Sequence, residues 1–128
     1  MPRSRTFFLR LSLCAVAVLL STVLAFAGEN GIRPALKRVE TKKVCMVNNT
    51  VFEKDQIPVA VQGKTYYGCC EMCKERLVKD ADARTAVDPV TGKKVDKATA
   101  VIAAQADGKV LYFESEKTLE QYEKGQKK

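Results

Sequence analysis

Histidine is absent from all 128 positions of the chain. Without it there is no imidazole base for a Ser-His-Asp or Cys-His catalytic set. Haem attachment through a C-x-x-C motif is excluded as well. That motif needs His after the second cysteine, and Lys74 follows Cys73. Acidic residues are missing from positions 1–27, which hold Arg3, Arg5 and Arg10. The one extended apolar run, 11–26, is 16 residues long, short of the ~20 that a membrane-spanning helix needs. No basic stripe or base-stacking motif accompanies the net charge of +7, which argues against nucleic-acid binding. No βαβ pattern or cis-proline candidate points to a thioredoxin-like fold. Paired acids such as Glu114 and Glu116 read as solvated surface. With these classes removed, the chemistry left to the chain is that of sulfur, and no enzyme activity is expected.

The sulfur is concentrated. Of five cysteines, Cys69, Cys70 and Cys73 lie within five residues and Cys45 lies upstream. Cys45, Cys69 and Cys73 read as C-x23-C-x3-C, and Cys70 and Cys73 as C-x2-C. Thiolate is a soft ligand suited to Zn(II) or Cu(I). Cysteines three or four apart at a helix start share a face, and the positive helix end favours thiolate over thiol. Cys45 would join them by folding back through a hairpin. Cys70 could complete a four-sulfur site, and Met46 or Met72 could act as a soft fourth ligand for Cu(I). The two methionines read more readily as core gap-fillers. A disulfide remains open outside the cytoplasm, as does a redox role for Cys70 and Cys73.

The segment Tyr66-Tyr67-Gly68-Cys69-Cys70-Glu71-Met72-Cys73 resembles the aromatic-rich signature of TRASH and YHS domains, and Cys45-Met46 resembles their leading cysteine. These are treble-clef-like metal-binding modules linked to metal sensing, trafficking and resistance. The resemblance implies Cys45, Cys69 and Cys73 as metal ligands and leaves Cys70 as an additional thiol.

Taken in order, residues 1–27 read as a secretory signal peptide. Ala25-Phe26-Ala27 forms an A-x-A cleavage site before Gly28, and Cys14 would be removed with it. Cleavage leaves 101 residues carrying 19 Lys and Arg against 15 Asp and Glu, a net charge of +4. The product is expected in the periplasm or outside the cell, with no stable membrane insertion. Residues 28–42 read as a flexible leader. Residues 43–85 form a cysteine-containing module. Within it, 57–61 and 65–67 are expected as strands joined through Gln62-Gly63-Lys64, and 70–79 as a helix with Leu77 and Val78 inward. Pro58 marks an edge strand or a strand start. Tyr66 and Tyr67 are expected in the hairpin core.

Residues 86–128 repeat the pattern. Asp88-Pro89-Val90-Thr91-Gly92 resembles the opening of a YHS domain with Thr91 in the cysteine position. Strands are expected at 100–104 and 109–113 around an Asp107-Gly108 turn. Ser115 caps a helix to about Lys124, with Leu119 and Tyr122 inward. Gly63-Lys64 aligns with Gly108-Lys109, an offset of 45 that takes Cys69 to Glu114 and Cys73 to Thr118. Cys45 falls on Thr91 with one residue of slack. The expected fold class is α+β: two tandem treble-clef or zinc-ribbon-like modules of hairpin plus helix, the second lacking the cysteines. The leading function is an exported, non-enzymatic protein that holds a soft ion or passes it to a protein partner. The alternatives are a thiol–disulfide protein using Cys70 and Cys73, and a structural module that binds a protein partner.

Overall fold

The structure, a computed structural model, describes residues 35–126. The expected signal peptide and the leader up to residue 34 lie outside the described residues. Strand β1 (Lys37–Arg38) comes first, then a 3-10 turn at Thr41–Lys43. The short strands β2 (Val44–Cys45) and β3 (Thr50–Val51) follow, then β4 (Ile57–Val61), β5 (Lys64–Gly68) and helix α1 (Glu71–Lys79). A second 3-10 turn at Asp82–Arg84 leads to β6 (Thr85–Val87), β7 (Lys94–Asp96), β8 (Val101–Ala104), β9 (Val110–Phe113) and helix α2 (Glu116–Gln126). The succession of 3-10 turn, short strand pair, hairpin and helix thus occurs twice. The fold is a mixed α+β arrangement with one three-stranded sheet, β1-β8-β9, and three two-stranded sheets.

Local chemistry explains the turns. Val61 stands opposite Lys64 across the β4–β5 hairpin, so Gln62-Gly63 is a two-residue loop. Both residues have positive φ, 51° and 76°, as a type I′ turn requires. Gly108, at φ 82°, supplies a positive φ in the longer connection 105–109 between β8 and β9. Pro58 sits in β4, and both strands of its two-stranded sheet are edges. Ser115 and Thr118 cap α2 reciprocally: the Thr118 N–H donates to Ser115 Oγ, and the Ser115 N–H to Thr118 Oγ1, each at 3.3 Å.

The described residues fall within one compact unit spanning 32–128. Its main core joins Val44, Met46, Val59, Tyr66 and Leu77 to Ile102, Ala104, Val110 and Tyr112. Side chains from both sides of position 86 therefore fill one core. Backbone bonds stitch the same boundary: the Val51 N–H donates to Gly108 O and the Val110 N–H to Asn49 O, both at 2.9 Å. Asp96 accepts from Lys64 Nζ at 2.7 Å and from the Tyr66 hydroxyl at 3.0 Å. A smaller cluster of Ala103, Phe113 and Leu119 packs under α2 with Leu36 and Tyr122.

Three expectations change. Val78 is not inward; it is 53 % exposed while Leu77 is fully buried. Successive helical residues are turned by about 100°, and α1 buries one narrow face. The helix also begins at Glu71, with Cys70 as N-cap in extended geometry. Within the segment read as a leader, Lys37 and Arg38 pair with Ala104 and Ala103, and Arg38 forms an ion pair with Glu116.

Candidate metal centre

Cys45 ends β2 and is fully buried. The turn that follows, 46–49, is secured by the Met46 N–H, which donates to Tyr67 O at 2.9 Å. It closes with Asn49 at φ 53°. The turn is thereby pinned beside the end of β5, where Cys69 follows Gly68. A Cβ on Gly68 would lie 3.0 Å from Cys73 Cβ and 3.2 Å from the Lys74 nitrogen. Only glycine lets the helix start press this closely on the strand. Cys73 occupies the first turn of α1 and is buried.

These placements bring the sulfurs of Cys45, Cys69 and Cys73 within 4.8 Å of one another. Cys73 Sγ lies 3.6 Å from Cys69 Sγ and 3.9 Å from Cys45 Sγ. Zinc–sulfur bonds of ≈ 2.3 Å in tetrahedral geometry put the sulfurs about 3.8 Å apart, so the donor set fits a soft ion in both spacing and chemistry. Cys69 reaches Cys73 from the end of the strand, not from a preceding helical turn, because the helix begins after it. Cys70 is exposed and stands 3.5 Å from Cys73 Sγ. Asn48 Nδ2 donates to Cys69 Sγ at 3.5 Å. Met46 is a core residue, as expected of a gap-filler, whereas Met72 is 82 % exposed.

The four thiols do not share one environment. Burial would raise Cys45, but the backbone N–H groups of Asn48, Cys69 and Val47 point at its sulfur and bring it below the usual thiol value. Burial pushes Cys73 up to about 12, with the Cys70 and Cys69 thiols adding to the effect. Burial also raises Cys69. Exposed Cys70 is lowered by the Cys73 backbone N–H and then by the Cys73 thiol. A cation that displaces protons would relieve the crowding on Cys73.

The second half holds a hydrogen-bonded cluster built on oxygen. Asp88 is fully buried. Its Oδ1 accepts the Val90 and Thr91 N–H groups at 2.7 and 3.2 Å, and its Oδ2 accepts the Glu114 N–H at 2.8 Å. Val90 and Thr91 stand 43 positions after Val47 and Asn48, and Glu114 stands 45 after Cys69. The same three backbone positions that surround the Cys45 sulfur thus surround the Asp88 carboxylate. Gly92, at φ 71°, likewise answers Asn49. Among the described residues it is Asp88, not the expected Thr91, whose side chain meets N–H groups at these offsets. Thr91 instead lies one turn further on, its Oγ1 donating to Glu114 Oε2 at 3.4 Å. Thr118, 45 positions after Cys73, donates its hydroxyl to Ser115 O at 2.9 Å and helps hold the Asp88 carboxyl low.

Lys97 is the neighbour that sequence reasoning missed. It is buried, and its Nζ donates to Met46 O at 2.6 Å and to Asn49 Oδ1 at 2.8 Å. Burial pushes its ammonium down to about 8, partly offset by Cys45, so it remains protonated at neutral pH. Nothing in the charged stretch 93–97 singles it out from Lys93 or Lys94. Gly68 was equally silent, since its role lies in a through-space approach. The chain matches no protein family, no curated protein and no solved structure.

Proposed function

We propose that this chain is a non-enzymatic carrier of a soft metal ion, Zn(II) or Cu(I), bound by Cys45, Cys69 and Cys73. The observation that carries the reading is the convergence of three thiol sulfurs within 4.8 Å in a chain with no histidine. An exposed fourth thiol, Cys70, at the rim would suit ligand exchange with a protein partner. The TRASH and YHS resemblance is supported by the order of parts in the first half: a short strand pair carrying Cys45, a hairpin, then a helix whose start carries the other cysteines. A tandem duplication is supported by the twofold succession of elements and by the matched N–H cradles of Cys45 and Asp88. In the second copy, Asp88 and its hydrogen bonds would fill the site that metal fills in the first. Export follows from the arginine-rich start, apolar run and A-x-A site of residues 1–27, and N-terminal sequencing of the cellular product checks it.

The test is replacement of each cysteine by serine in the reduced chain, followed by metal affinity and melting temperature. Cys45→Ser, Cys69→Ser and Cys73→Ser each lose metal and metal-induced stabilisation, while Cys70→Ser keeps most of both. Loss with Cys70→Ser and none with Cys69→Ser would overturn the ligand set. The 3.5 Å approach of Cys70 to Cys73 favours a second reading as a thiol–disulfide protein. That reading prevails if no serine variant changes metal affinity and Cys70 and Cys73 form a readily exchanged disulfide.

A further inference from the structure

We propose that Lys97 tunes which ion the thiol cluster prefers, by placing a fixed positive charge from the second half of the chain beside it and so favouring a monovalent over a divalent soft ion. The inference rests on the metal reading above and deepens it. Lys97 is 5 % exposed. Both oxygens that accept its protons, Met46 O and Asn49 Oδ1, belong to the 46–49 turn whose N–H groups surround the Cys45 sulfur. Its Nζ also lies 5.2 Å from the centre of the Tyr112 ring. Among the described residues no carboxylate pairs with it; the ionisable groups near enough to act on it are Cys45 and Arg76. An ammonium buried without a counter-ion is costly. An anionic thiolate complex next to the turn would supply that counter-ion.

The sign of the preference follows from charge alone. Three thiolates with a monovalent ion carry a net charge of about −2, and with a divalent ion about −1. A nearby fixed cation stabilises the first complex more. The metal-free protein is common to both equilibria and cancels from the ratio of affinities, whatever its thiols' protonation.

The experiment measures Cu(I) and Zn(II) affinities of the reduced full chain by competition with chromophoric chelators. The variants are Lys97→Gln, which keeps a hydrogen-bond donor without the charge, Lys97→Met, which keeps the aliphatic stem, and Lys97→Arg, which keeps the charge. The neutral variants should lower the Cu(I)-to-Zn(II) affinity ratio by roughly tenfold to a hundredfold, and Lys97→Arg should restore it to within about threefold of wild type. Equal losses for the two ions, or an unchanged ratio, would overturn the proposal. Loss of both ions from both neutral variants, with circular dichroism showing unfolded chains, would assign Lys97 to folding alone and overturn it too. If the wild type binds neither ion, the metal reading itself fails and takes this inference with it.

Discussion

Asp88 is fully buried and takes its hydrogen bonds from three backbone N–H groups, and among the described residues no basic side chain forms an ion pair with it. Burial alone would raise its pKa; the N–H groups of Glu114 and Val90, with Thr118 and Thr91, outweigh burial and hold it below the usual carboxylate value. A carboxylate depressed on folding contributes stability that is present above its unfolded pKa of about 3.9 and lost as pH falls through the lower folded value. Urea unfolding between pH 7 and pH 2 should therefore show a loss of stability below about pH 4, and Asp88→Asn should flatten that loss. At pH 7 the same variant should be less stable by about 2–3 kcal/mol, because an amide cannot accept all three donors. Tyr112 gives the opposite case. Its hydroxyl is buried without a partner among the described residues. Tyr112→Phe should leave the melting temperature unchanged or raise it, by at most about 1 kcal/mol of stability. Neither residue was legible as such in the sequence. Asp88 was visible as the first letter of a turn motif, but which side chain the turn's N–H groups enclose is decided by backbone geometry.

The elements divide between those that announce themselves and those that do not. Hairpins β4–β5 and β8–β9 were legible because Gly63 and Gly108 supply the positive φ that their turns need. Helix α2 was legible from Ser115 and from the inward spacing of Leu119 and Tyr122. The two-residue strands β1, β2 and β3 are too short to carry a period, so the pairing of Lys37 and Arg38 with β8 left no trace in the pattern. Val78 was misplaced because a nine-residue helix packing on one side offers too few positions to fix its inward face. The contact between β5 and α1 depends on Gly68. Gly68→Ala should push the helix start from the strand, cost about 1–3 kcal/mol, and weaken metal binding by parting Cys69 from Cys73. Thermal melting and a metal titration of the reduced protein check both effects. Retention of wild-type melting and affinity would show that the approach of 3.0 Å is relaxed cheaply.

Across the whole molecule, the two halves share one core and one set of cross-links, with Asp96 holding Lys64 and Tyr66, and Lys97 holding the turn beside Cys45. The twofold succession of hairpin and helix was legible from the offset between Gly63 and Gly108; the shared core was not, because periodicity reports an inward face and not its partner. A small core leans on its site. A saturating soft ion at about 1,000 times its dissociation constant should raise stability by about 4 kcal/mol, read as a higher melting temperature that a strong chelator reverses. The claim on which the rest depends is that Cys45, Cys69 and Cys73 hold one ion together. Native mass spectrometry of the reduced full chain and its single Cys→Ser variants, supplied with Zn(II) or Cu(I), tests it most directly, because the mass records whether an ion is bound and how many. One bound ion, lost in Cys45→Ser, Cys69→Ser and Cys73→Ser and kept in Cys70→Ser, is the expected result. A chain that stays metal-free, or one that keeps its ion in Cys69→Ser and loses it in Cys70→Ser, would contradict the claim.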